Sequence, residues 1–474
     1  MERAAPTATD ALDSLRSLLG HDAVRADDAG GAPELTDYRR QFHGRALAIV
    51  EPDQVSQVSA LLRWCQERHV GLVPQGGNTS YCGGATPDAT GTQVLLLLRR
   101  LDRVRSIDAE NFAITVEAGC TLQQVQDAAA VADRFFPLSL GSQGSCQIGG
   151  NLATNAGGLN VVRFGMARDL TLGIEAVLAD GSLLEGLGSL RKDNTGYDLK
   201  SLLIGSEGTL GVITAATLRL WPAMRSTATA LLGMRTPENA IRLLAQLRSH
   251  AGERLSSFEL MPRAAVALAM QHLPEVREPL TAAHDCYVLC ELTSTAEEAL
   301  DQLLATTLVA PEVAAVLEDG VIAANERQRA AFWSLREGIP EAQRRAGASL
   351  KHDISVPPAS IPEFMARVTD WTDSHFPEGM LICYGHAGDG NLHCNFSVRA
   401  AQDPVRFRRR EGEVRDAIHG LVQTMHGSVS AEHGIGQFKI AELRRYASPV
   451  KLALMRQLKA AFDPAGIMNP GKLL

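Results

Sequence analysis

Leu140-Gly-Ser-Gln-Gly-Ser-Cys-Gln-Ile-Gly-Gly-Asn-Leu-Ala-Thr-Asn-Ala-Gly-Gly158 decides how the first half of this chain is read. Six glycines fall between 141 and 158, several-fold above the usual roughly 7%. Residues this small let backbone lie flat against a ligand. A second run of the same texture lies upstream, Gln75-Gly-Gly-Asn-Thr-Ser-Tyr-Cys-Gly-Gly84, after a strand predicted over 70–74. Its glycines allow backbone N–H groups to converge on an anion such as a phosphate. Asn78, Thr79 and Ser80 add side-chain hydrogen bonds. The upstream run alone is more often just a turn, since it has neither the Gly-x-Gly-x-x-Gly order nor a P-loop lysine. Two of them imply one extended ligand held along its length.

Around these runs the pattern alternates strands and helices. Helices are predicted over 10–19 and 52–68, with Val55, Val58, Leu61, Leu62 and Cys65 on the buried face of the second. Strands are predicted over 46–50, 94–98 and 113–118. Thr121 caps a helix to about Asp133. Asp180-Gly181 turns a hairpin over 173–184. After Pro222 the texture changes to long helices, 237–250 and 323–336, with single strands between them.

A third stretch carries a different chemistry, Tyr384-Gly-His-Ala-Gly-Asp-Gly-Asn-Leu-His-Cys-Asn395. Asp389-Gly390 supplies a tight turn. The alternation after it puts Asn391, His393 and Asn395 on one strand face and Leu392, Cys394 and Phe396 on the other. The hairpin returns His386 to the neighbourhood of His393. Glu432-His433 lies further on, followed by two glycines within Ser430–Gly436. Two histidines and a carboxylate suit a divalent metal with open positions. Surface histidines beside an unrelated acidic loop would leave the same short signature.

The 474 residues are 45% apolar, which fits two or three soluble domains with ample core. The net charge of −8 argues against nucleic acid as a partner. Eight scattered cysteines, without Cys-x-x-Cys, fit reduced thiols in the cytoplasm better than a disulfide framework. No stretch of about 18 uninterrupted apolar residues suggests an integral membrane segment, and Met1 to Asp10 lacks a secretory layout.

Six motifs in this order carry a resemblance. They are Pro74–Thr79, Gly149–Gly158, Gly205-Ser-Glu-Gly-Thr-Leu-Gly211, Gly385–His393, Ala431-Glu-His-Gly-Ile-Gly436 and Phe462-Asp-Pro-Ala-Gly-Ile-Met-Asn-Pro-Gly471. The chain resembles the FAD-linked D-2-hydroxyacid dehydrogenases of the vanillyl-alcohol-oxidase/PCMH flavoprotein superfamily, D-2-hydroxyglutarate dehydrogenases above all. The resemblance implies an α+β fold. A PCMH-type FAD-binding domain of two subdomains would take residues 1–222, and an α/β cap with an antiparallel sheet would take 223–430. Residues 431–474 would complete the FAD and active site.

FAD would meet Pro74, Gln75, Gly76, Gly77, Asn78 and Thr79 at its pyrophosphate. Ser142, Gly144, Ser145, Ile148, Gly149, Gly150, Asn155, Gly157 and Gly158 would follow along phosphate, ribose and flavin. Glu207, Gly208, Gly211 and Ile213 would lie on the adenine side, with Asn469 from the tail. Asn78 stands where covalent-flavin relatives have a histidine, which implies non-covalent FAD. Cys82 and Cys146 read as small packing residues.

By the same match His386, His393 and Glu432 hold a divalent metal, Zn²⁺ by preference. His433 is the base, and Arg336, Lys351, Asn395 and His433 contact substrate. Pro340 departs from the threonine of some members, which bears on the exact acid. The implied reaction converts D-2-hydroxyglutarate to 2-oxoglutarate by hydride transfer to flavin. D-lactate, glycolate or D-malate are the alternatives within the family. A non-redox flavin transferase and a flavin-free metal hydrolase are the alternatives outside it. Electron-transfer flavoprotein is the implied acceptor, and a homodimer stays open.

Overall fold

The computed structural model describes residues 8–27, 30–278, 280–400 and 402–474. Its contacts divide the chain into two units. One takes the residues through Gly157, Gly165–Ala223 and Glu432–Leu474; the other takes Gly158–Phe164 and Met224–Ala431.

The first unit is built on two sheets. In the smaller, the order is Val24–Arg25, Ala48–Val50, Val94–Leu97, Leu72–Gln75, with the last three strands parallel. Ala48–Val50 and Val94–Leu97 are buried at every position, as expected of parallel strands covered on both faces. The helix Val55–Arg68 covers them with Val58, Leu61, Leu62 and Cys65. The larger sheet is antiparallel, in the order Val104–Asp108, Ala113–Glu117, Val212–Arg219, Thr171–Val177, Leu183–Gly186. Thr121 caps the helix Leu122–Val131 in a reciprocal box with Gln124. The chain's last segment returns to the first sheet. Leu72 donates to Ile467 and accepts from Asn469, each at 2.8 Å, beside the start of the first glycine-rich loop.

The second unit has an antiparallel sheet in the order Leu255–Pro262, Cys286–Ser294, Ser226–Met234, Asp319–Ile322. A second sheet is centred on Asn391–Val398, between Gly379–Tyr384 on one side and Ser349–Leu350 with Asp353–Ser355 on the other. Reciprocal backbone bonds between Leu260 and Gly385, 2.9 and 3.0 Å, tie the two sheets together. The helix expected over 323–336 runs as Glu326–Ala346, with Pro340 inside it. A proline signals a helix end, but buried Ile339, Ala342 and Gln343 carry this helix past it.

Candidate active site

In the first unit the two glycine-rich runs are packed on each other. A Cβ at Gly76 would sit 3.4 Å from Gly150, and one at Gly77 would collide with the Ser145 carbonyl oxygen. A Cβ at Gly208 would likewise run into Pro74. Gly141 and Gly144 look onto open space instead. The polar side chains expected to reach the ligand are largely spent on holding this cradle. Gln75 donates to the Glu34 and Ala85 carbonyls at 2.9 and 2.8 Å. Asn78, at φ 53°, donates to the Thr36 carbonyl at 2.9 Å. Asn469 donates to Gly84 and Glu207 carbonyls at 2.9 and 2.7 Å.

Backbone and buried acceptors are also open to a ligand. The Gln147 and Asn469 side-chain oxygens are buried with no partner among the described residues. A cradle with backbone at close approach and orphaned acceptors for ribose hydroxyls fits an extended dinucleotide. Cys82 and Cys146 are buried, and Cys82 donates to the Gly434 carbonyl at 3.4 Å.

Glu207 is engaged within the protein. Its carboxylate accepts from the backbone N–H of Ile435 at 2.7 Å and of Gly436 at 2.6 Å. Burial pushes its pKa up against those two donors. Its work is to seat the loop that begins with Glu432 and His433. The His433 ring meets Tyr81 of the first glycine-rich loop edge-on, centroids 4.5 Å apart.

In the second unit the hairpin forms as its alternation predicts. Tyr384 pairs with His393, Leu392, Cys394 and Phe396 are fully buried, and the His386 and His393 rings lie 5.4 Å apart. His386 Nδ1 is 2.6 Å from Glu259 Oε1. Arg336 donates to the other oxygen of the same carboxylate at 2.7 Å and lies over the Tyr384 ring. Burial alone would raise Glu259, but His386 and Arg336 outweigh it and hold it down to about 2. An ionised Glu259 accepts the Nδ1 proton and makes Nε2 the acceptor nitrogen of the ring, the orientation a carboxylate–histidine–metal triad uses. The donor set therefore fits a divalent cation.

Arg336 thus shares the Glu259 carboxylate with His386. Asn395 is similarly engaged. Its amide donates to Gln343 at 3.0 Å and accepts from the His352 N–H at 3.1 Å. Asn391 donates to Asp353 and to the Ile354 carbonyl, both at 2.9 Å, while its own oxygen has no partner among the described residues. Lys351 is half-buried between the two short strands. Glu259 and Asp353 escaped the sequence reading. Asp353 stands directly opposite His393 in register and accepts from Ala431 N–H at 3.2 Å.

Residues 223–473 match the family described as FAD linked oxidases, C-terminal domain. The chain belongs to the FAD-linked oxidases. Residues 46–186 of this oxidase match the FAD binding domain family, so its cofactor is FAD and its enzyme class an FAD-dependent dehydrogenase. It is 36% identical over 459 residues to the mitochondrial D-2-hydroxyglutarate dehydrogenase of Arabidopsis thaliana, covering 97% of this chain and 80% of that one. It is 38% identical over 448 residues to the enzyme of the same name from Bos taurus, covering 93% and 79%. Among solved structures, p-cresol methylhydroxylase superposes with a TM-score of 0.76 over 99% of this chain and 97% of that one at 17% identity, which establishes the PCMH-type α+β fold of this FAD-linked oxidase.

Assignment to the cytoplasm is overturned by these relatives, whose names place them in mitochondria. Reduced thiols report redox conditions and not an address, so the cysteine pattern could not separate the two. No described helix is long and apolar enough to cross a membrane.

Proposed function

We propose that this dehydrogenase oxidises a D-2-hydroxy acid, D-2-hydroxyglutarate foremost, to the 2-oxo acid. The observation that carries the reading is the ionised Glu259 orienting His386 beside His393 on one hairpin. The names of the relatives favour the substrate. His386, His393 and Glu432 would hold a divalent cation, Zn²⁺ by preference, and the first unit would hold FAD on its glycine-rich runs. Bound FAD supplies a two-electron acceptor for the hydride leaving C2, and a bound cation supplies Lewis acidity to the hydroxyl. His433 takes the hydroxyl proton, a task suited to an imidazole. Its edge contact with Tyr81 restrains the ring while it does so. Asn391 and Lys351 offer an acceptor and a cation to the substrate. Electrons would leave to an electron-transfer flavoprotein.

The test is anaerobic titration of the holoenzyme. D-2-hydroxyglutarate should bleach the flavin absorbance, and prior chelation should prevent bleaching until Zn²⁺, Co²⁺ or Mn²⁺ is restored. Flavin bands that respond to no 2-hydroxy acid would sink the reading. Full turnover in a demonstrably metal-free sample would remove the metal from it. Faster bleaching by D-lactate or glycolate would move the substrate within the class.

A further inference from the structure

The face of the hairpin turned away from His393 carries two thiols side by side. Cys383 and Cys394 stand directly opposite each other where Gly379–Tyr384 pairs with Asn391–Val398. The Cys394 N–H donates to the His352 carbonyl at 2.8 Å, toward the segment that joins Ser349–Leu350 to Asp353–Ser355. Its backbone therefore points away from Cys383, and the two form a non-hydrogen-bonded pair. That is the closer of the two antiparallel kinds, with Cα atoms about 4.5 Å apart. The Cys394 thiol is within hydrogen-bond reach of Cys383. Disulfides span Cα separations of about 4.4–6.8 Å, so a bridge here needs no rearrangement of the sheet. No other two of the eight free cysteines are opposed in the described strands.

We propose that Cys383 and Cys394 form a reversible cross-strand disulfide under hydrogen peroxide, and that the bridge loosens the hold of His386 and His393 on a divalent cation. The second half of the inference rests on the metal reading above. In the first step one sulfur attacks the peroxide, giving a sulfenic acid and water. In the second the other sulfur attacks the sulfenic acid, the S–S bond forms and a second water leaves. Two thiols are oxidised, one peroxide is reduced, and both thiol protons end in water. Cys383 and Cys394 are 1% and 0% exposed, so the oxidant has to be small and neutral, as hydrogen peroxide is. Gly379–Tyr384 pairs with a strand on one side only within its sheet, and local opening of that edge admits the oxidant.

Both histidines lie in the stretch the bridge would close, residues 384–393. His393 is the neighbour of Cys394 and points to the opposite face of the strand. Bridging draws the paired Cβ atoms from about 4.5–5.5 Å to about 3.8 Å. The accompanying twist reaches His393 through a single peptide bond. Metal–ligand distances tolerate only about 0.2 Å, so a displacement of this size weakens binding.

The experiment treats the flavin-loaded wild type, Cys383→Ala and Cys394→Ala with hydrogen peroxide, then removes the peroxide with catalase. It counts free thiols in denaturant and measures Zn²⁺ affinity by competition with a chromophoric chelator. Cleavage on the N-terminal side of Asp389 places the two cysteines on separate peptides. The wild type should lose two of its eight thiols and yield those peptides joined until reduced. Its Zn²⁺ affinity should fall about tenfold, the low end of what a disturbed ligand support costs, and a dithiol reductant should restore it. Either alanine variant should keep its Zn²⁺ affinity through the same exposure. Peptides that never appear joined overturn the bridge. A bridged protein with unchanged Zn²⁺ affinity overturns its effect on the site. The wild-type measurements decide both points alone if a variant fails to fold. A reduced wild type that binds no Zn²⁺ overturns the metal reading instead, while the joined peptides still report on the bridge.

Discussion

Glu259 shows how one buried carboxylate can set the chemistry of a site it does not itself perform. It is fully buried, and it stays ionised because the Arg336 guanidinium and the His386 ring share it. Replacing it by Gln keeps the shape but removes the charge that holds the His386 Nδ1 proton. Metal affinity should fall about ten- to a hundredfold, the usual effect of losing the carboxylate behind a ligating histidine. Metal content after dialysis against a graded chelator checks this, with the flavin-to-protein ratio unchanged. Undiminished metal retention in Glu259→Gln would mean that His386 is oriented by something else. Asn78 makes a second test. An amide in place of a histidine cannot form a link to the flavin ring, so acid precipitation should carry all yellow colour into the supernatant. Colour in the pellet would contradict it.

The two glycine-rich loops were legible from composition, and the His386–His393 hairpin from a period of two and an Asp-Gly turn. Glu259 was not, because it stands 127 residues before His386 and arrives through the Leu260–Gly385 pairing between two sheets. No local periodicity encodes such a register. The helix that carries Arg336 was read too short because Pro340 signals termination more strongly than tertiary packing signals continuation. The loops themselves admit a paired test. Gly77→Ala drives a methyl group into the Ser145 carbonyl, a clash that costs about 1–3 kcal/mol and should weaken FAD retention about tenfold or more. Gly144→Ala, whose Cβ meets nothing within 4 Å, should keep its flavin through the same dialysis. Equal retention by both variants would show that close packing of the runs does not shape the cofactor site.

The chain as a whole stores a pH-dependent cost near its tail. Burial pushes the Lys472 ammonium down to about 8 from its ordinary 10.5, with Asp88 only partly opposing. Below about pH 8 the folded state carries that cost in full. Between about 8 and 10.5 the unfolded chain binds more protons than the folded one, so stability rises with pH. Lys472→Met should therefore be the more stable protein at pH 7, with a gap in Tm that closes as the pH is raised through that window. A gap independent of pH would assign the effect to packing instead. The course of the backbone has a different consequence. Residues 432–474 complete a unit whose other strands are laid down before residue 224, and Leu72 waits for Ile467 and Asn469 as hydrogen-bond partners. On the ribosome, the N-terminal strands emerge long before the segment that closes their sheet. Between them the ribosome must deliver the full second unit, so nascent chains spend most of translation with an unsealed apolar edge, the condition under which chaperones are recruited.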